Sequence, residues 1–291
     1  MKKIILSSLL LIGILVLSTR CDKIEKPYKV TSNNPLDTPA FPVLGNVIQK
    51  YLLEDFTGHK CVNCPQAHAI ADEMKTDMGD TLIILAIHSG NYARPQTPPY
   101  NADYRTEMGD MITADFNILN YPSGMISRKT FSGDTISSVL SRFNWKLRMA
   151  SILRQAPNLA LQILTSSPSE DSINVFVKTT FLANTNKNLR LYVVLSESGI
   201  ISAQTNNSSA IGPTPDIFDY EHKHMLRTSI APKEGNIIAT LGTPHQANDT
   251  LIKGYTLYLI GKPWKLENCS VIAFISDNDT KEILQVEEVE L

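Results

Sequence analysis

Tyr51-Leu52-Leu53-Glu54-Asp55-Phe56-Thr57-Gly58-His59-Lys60-Cys61-Val62-Asn63-Cys64-Pro65-Gln66-Ala67-His68 is the stretch that decides how this chain folds. Its first part, Tyr51 to Phe56, predicts a short buried strand, and Gly58 closes that strand with a turn. From Pro65 to about Met78 the pattern predicts a helix. Two cysteines therefore arrive on the first turn of a helix straight after a strand, the arrangement that thiol–disulfide chemistry uses. Unpaired N–H groups at the helix start favour a thiolate at Cys61, and Cys64, one turn further in, is placed to resolve a mixed disulfide.

The amino terminus bears on whether such chemistry has a suitable compartment. Met1-Lys2-Lys3 is a short basic region, and Ile4 to Leu17 is an almost wholly apolar run. That run is too short for a comfortable membrane span, which takes roughly 20 residues, and suits a signal peptide over residues 1–20. Cys21 follows at once and is the expected lipid attachment residue, although Arg20 stands where a small residue is usual. Ordinary cleavage nearby and an uncleaved anchor are the alternatives. Each exports the chain, to a place where disulfides persist. The formal net charge of −2 offers no footprint for nucleic acid.

Residues 21–44 are proline-rich without periodicity and predict a lipidated tether. Residues 45–154 alternate strands and helices, which predicts an α/β domain. Within it Thr81 to His88 is a continuous apolar strand, residues 89–100 a proline-rich loop, and 101–115 a helix. A strand over 124–128 and a helix over about 135–153 complete it. Residues 155–291 change to period-two alternation, as in Leu159-Leu161-Ile163, Leu189-Leu191-Val193-Leu195 and Val271-Ala273-Ile275. Short strands separated by polar turns predict an immunoglobulin-like β-sandwich. The expected fold class is thus α/β plus all-β, in two domains.

Leu53 to Cys64 resembles the active-site strand and turn of thioredoxin-like proteins. The resemblance implies that Asp55, six residues before Cys61, is a buried carboxylate that relays protons to and from Cys64; desolvation raises the pKa of such a group. Phe116 to Ser123 resembles the segment that ends in the family's cis-proline, here Pro122, with Tyr121 lining a groove for an extended substrate backbone. The pattern departs at Lys60 and at Val62-Asn63. A cation at Lys60, with His59 beside it, would favour the Cys61 thiolate and make the disulfide more oxidising.

Taken whole, the chain resembles the bacterial 28-kilodalton outer-membrane lipoprotein family, through the signal and Cys21, Glu54 to Gly58 with the cysteine pair, Tyr121-Pro122, and Tyr220-Glu221-His222-Lys223-His224-Met225-Leu226-Arg227. That implies an outer-membrane location on a lipid anchor. The expected activity is thiol–disulfide exchange with extracytoplasmic protein clients and no cofactor beyond the disulfide. The alternative is a non-enzymatic surface or binding lipoprotein with a structural disulfide. A metal site from Cys61, Cys64 and His68, with His59 or His88, is the weaker explanation, since the strand–cysteines–helix layout needs no metal. Covalent haem is disfavoured because Pro65, not His, follows Cys64. His222 and His224, two apart on one strand, could face one side with His245. Tyr92, Arg94, Tyr100 and Tyr104 are either a lid or a solvated loop, and Cys269 is read as a buried small hydrophobe.

Overall fold

A computed structural model describes residues 37–131, 137–152 and 155–291. The signal segment, Cys21 and most of the expected tether lie outside these residues. The centre of the fold is strand β1 (Tyr51–Thr57), buried along its whole length. Strand β2 (Leu82–His88) pairs with it in parallel, from Tyr51↔Leu82 to Thr57↔His88. Parallel neighbours need a crossover, and helix α1 (Cys64–Met78) supplies it, laying Ala67, Ala71 and Met74 against the sheet at helical spacing.

Helix α2 (Glu107–Asp115) is shorter than the segment 101–115 predicted from sequence. Thr106 accepts the Gly109 N–H as its cap, which fixes the start there, and residues 101–105 are not helical. Strand β3 (Ser123–Ile126) runs antiparallel to β1, with Asp55 opposite Gly124. It ends earlier than expected because Ser127 and Arg128 adopt left-handed φ values of 46° and 51°. Arg128 turns inward and forms a two-pronged pair with Glu54, at 2.9 and 2.6 Å, with both side chains buried. The expected helix over 135–153 is instead strand β4 (Leu140–Ser141) and helix α3 (Trp145–Ser151). Trp145 fills the space over Gly124, where a Cβ would lie 2.8 Å from the indole.

The remaining strands are β5 (Leu159–Ser169), β6 (Ser172–Phe181), β7 (Leu189–Glu197), β8 (Ile200–Thr205), β9 (Asp216–His222), β10 (Met225–Ser229), β11 (Asn236–Ala239), β12 (Thr250–Tyr258), β13 (Cys269–Asp277) and β14 (Ile283–Glu290). One long sheet has the order β14-β13-β7-β10-β2-β1-β3-β4, with β11 also on β7; a second is β12-β6-β5, and β8-β9 is a separate hairpin. The facing sides of the second sheet and of β7 and β13 share one core, built around Phe181, Val193, Val177 and Val271. A second core under the long sheet joins Leu52, Phe56 and Ile87 to Ile272, Phe274 and Val286.

The architecture is a strand-rich, mixed α/β fold. Its long sheet passes straight through the predicted division at 154/155, because β10 pairs antiparallel with β7 and in parallel with β2 at Met225↔Ala86. Residues 38–291 form one compact unit. The division is a change of topology within one body.

Candidate thiol–disulfide site

Beyond β1 the chain turns at Gly58, where the loop Asn91–Ala93 crosses so closely that a Cβ would lie 2.5 Å from the Tyr92 carbonyl carbon. Only glycine leaves room for that crossing. Lys60 N–H donates to Tyr92 O at 3.0 Å, Cys61 N–H to Gly58 O at 2.9 Å and Cys64 N–H to Cys61 O at 3.1 Å. Cys61 and Cys64 are joined in a disulfide with Cα atoms 5.3 Å apart. The helix begins at Cys64, so Cys61 stands just before its open N-terminus.

Neither sulfur faces open solvent: Cys61 is 2% and Cys64 0% exposed. Residues 204–207, the end of β8 and the two residues beyond it, lie across the turn. Gln204 Nε2 donates to Cys61 O at 3.0 Å, Thr205 N–H to His59 O at 2.9 Å, and Asn207 N–H to Val62 O at 3.1 Å. The Asn207 side-chain amide adds a bond to Asn63 Oδ1 at 2.7 Å. Nothing local in the sequence marks this strip, since Gln204-Thr205-Asn206-Asn207 reads as an ordinary polar strand end.

Asp55, on the strand that leads into the cysteine turn, is 1% exposed. Burial, with the nearby Asp72 charge adding to it, pushes its carboxyl up to about 8. His68 of α1 stands 3.5 Å from Asp55 Oδ2 through Nε2, which is also hydrogen-bonded to Thr57 Oγ1 at 2.9 Å. The other ring nitrogen, Nδ1, is hydrogen-bonded to the Tyr220 hydroxyl of β9 at 2.7 Å. Burial holds His68 down at about 4. The sequence marks His68 only as a residue sharing a helical face with Cys64; Tyr220 carries no comparable local signal.

Tyr121 and Pro122, joined by a cis peptide bond, precede β3 at the same end of the sheet as the cysteines. The Tyr121 hydroxyl is hydrogen-bonded to Ser89 Oγ at 2.9 Å, and its ring lies 5.5 Å from that of Tyr92. The tyrosines of the proline-rich loop and the residues after it separate. Tyr92 joins Tyr121, Tyr100 bonds Asp216 and takes the Lys60 ammonium over its ring at 3.8 Å, and Tyr104 packs on His59, His88 and His222. His59 is 1% exposed, and burial lowers its pKa. It therefore adds no full positive charge beside Cys61 at neutral pH, and the expected cation rests on Lys60 alone.

His222 ends β9 while His224 sits in a turn at φ 54°, so the two are not on one strand. His245 does not join them; it stacks on Phe181 with ring centroids 4.1 Å apart. Cys269 is buried and its thiol is pushed up to about 12, chiefly by that burial, which leaves it unreactive. Among the described residues, no group of three or more His, Cys, Asp or Glu is arranged to hold a metal ion. No helix of the described residues is long and apolar enough to cross a membrane.

The fold and site define a strand-rich α/β protein carrying a disulfide at a strand-to-helix turn. The family of outer membrane protein Omp28 matches residues 110–291, more than half of the sequence, and the chain belongs to that family. The matched span contains Tyr121-Pro122, Tyr220 and the strip 204–207; Asp55, Cys61 and Cys64 precede it. No curated protein matches the chain significantly. Among solved structures, HBP35 of Porphyromonas gingivalis is similar over 85% of this chain and 77% of its own, at 16% identity and a TM-score of 0.61, a likeness of fold. A domain of the outer membrane lipoprotein Omp28 from Porphyromonas gingivalis matches 47% of this chain and 90% of its own, at 20% identity and a TM-score of 0.31.

Proposed function

We propose that this chain is an exported thiol–disulfide exchange protein, anchored in the outer membrane by lipid at Cys21. Cys61 attacks or is attacked, Cys64 resolves, Asp55 relays protons and Tyr121-Pro122 seats the client backbone. The observation that carries the proposal is the closed Cys61–Cys64 pair at the start of α1 with a buried carboxyl, Asp55, that stays largely protonated near neutrality. A group poised between its two states at working pH is what proton transfer to a leaving thiolate requires. The sheet order β2-β1-β3-β4, parallel then antiparallel, with α1 between β1 and β2, supports a thioredoxin-like reading of residues 45–154. The facing orders β12-β6-β5 and β14-β13-β7 support an immunoglobulin-like reading of 155–291.

A second reading has one observation in its favour. Both cysteines are buried and the strip 204–207 is hydrogen-bonded across their turn, which suits a structural disulfide in a surface or binding lipoprotein. Under the exchange proposal that strip must move aside for a client to reach Cys61. Replacing Cys64 by Ser in the full-length protein separates the two. Exchange predicts envelope proteins caught on Cys61 in disulfide-linked adducts that dithiothreitol releases. If Cys61 in this variant forms adducts with no protein, the structural reading stands.

A further inference from the structure

We infer that His68 and Tyr220 form the proton path that serves Asp55, so that β9 completes the exchange site; this rests on the exchange proposed above for Cys61 and Cys64. Asp55 is buried, and its Oδ1 has no hydrogen-bond partner among the described residues. A cavity of about 350 Å³ is lined by Asp55, His68, Asp72, Tyr220, Lys223 and His224. Its rim is open, since the Asp72 and Lys223 side chains that pair across it are 46% and 43% exposed. Solvent therefore approaches Asp55 from the α1–β9 seam.

His68 bridges that route. Nε2 is hydrogen-bonded to Thr57 Oγ1 at 2.9 Å and lies 3.5 Å from Asp55 Oδ2, and Nδ1 is hydrogen-bonded to the Tyr220 hydroxyl at 2.7 Å. An imidazole engaged through both nitrogens passes a proton by accepting at one and releasing at the other. The titratable groups around it are Asp72 on α1, His88 on β2, Glu221 and His222 on β9, and Lys223 and His224 in the turn beyond. Burial keeps His68, His88, His222 and His224 below their usual range, so His68 works from its neutral form.

A client thiolate attacks Cys61 Sγ, the Cys61–Cys64 bond breaks, and the Cys64 thiolate takes the Asp55 proton. The second client thiol, having lost its proton to solvent, attacks the client sulfur of the mixed disulfide and expels Cys61 as a thiolate. The client is oxidised by two electrons and the pair is reduced. Asp55 is then reprotonated from His68 Nε2, while Nδ1 takes a proton from the Tyr220 hydroxyl, which recovers one from solvent in the cavity. His68 and Tyr220 are positioning residues that act through Asp55.

The test measures the rate of disulfide exchange with dithiothreitol for the wild-type protein, His68→Ala and Tyr220→Phe, with and without imidazole in the buffer. The path predicts that His68→Ala slows exchange by ~10-fold or more and that imidazole, small enough for the vacated cavity, restores most of the rate. Tyr220→Phe, which keeps the ring and loses only the hydroxyl, slows it by about 3-fold. The equilibrium with glutathione stays unchanged in both, since a relay alters rates alone. Wild-type rates in both variants, or slowing that imidazole does not relieve, overturn the path while leaving exchange intact. A wild-type protein that exchanges no faster than a free disulfide overturns the exchange proposal, and the path with it.

Discussion

At the scale of single residues, Asp55 carries the most consequence. An ordinary aspartate loses its proton near 4, whereas here the carboxyl is pushed up to about 8 by burial and Asp72. Between those values the folded state holds a proton that the unfolded chain has released. The unfolded state then binds fewer protons, so stability falls as pH rises through that window, by up to about 1.4 kcal/mol per pH unit. Asp55→Asn removes the liability. In urea denaturation we expect the variant to gain on the wild type steadily from pH 5 to pH 8, by ~2 kcal/mol or more at the upper end; a constant difference across that range would show that Asp55 does not titrate there. Glu54, its neighbour in β1, points to the opposite face and is held by Arg128, a buried pair whose disruption costs roughly 3–5 kcal/mol. Asp55 was legible beforehand because its spacing from Cys61 is local. Its partners were not: His68 meets Tyr220 across a sequence separation of 152 residues, which no local pattern encodes.

At the scale of elements, the predicted strand–cysteines–helix–strand unit appears as β1, α1 and β2, because continuous apolar runs and helical spacing express themselves within a few residues. The short strands β8 to β11 carry no such local signal, for the opposite reason. Ile200 to Thr205 and Asp216 to His222 mix exposed and buried positions without clean alternation, since their hairpin packs over the cysteine turn instead of forming one face of a large sheet. The helix expected from 101 failed at its start, where the Thr106 cap delays it. The strip 204–207 has a measurable consequence. Its side-chain hydrogen bonds from Gln204 and Asn207 each contribute about 0.5–1.5 kcal/mol, so removing them favours the uncovered state by roughly 2 kcal/mol, or about 30-fold. A Gln204→Ala/Asn207→Ala protein should be reduced by a small phosphine ~10- to 30-fold faster than wild type. An unchanged rate would mean that the strip does not gate the disulfide.

At the scale of the whole molecule, one sheet ties the cysteine-bearing half to the sandwich half through β10, and the second half reaches back over the first with β8 and β9. Two predicted domains became one body because their edge strands pair, and edge pairing is set by backbone groups that carry no sequence signature. Within that body the cysteine pair is buried, and residues 204–207 bond across its turn. Such a site is either a guarded reactive disulfide or a permanent staple, and the two differ by the free energy of reducing it. The decisive measurement is the reduction potential of Cys61–Cys64 in the intact protein, from equilibration with glutathione buffers. Thiol–disulfide exchange predicts a value in the range of proteins that turn over, about −270 to −120 mV; a value below about −300 mV, where structural disulfides lie, would contradict it.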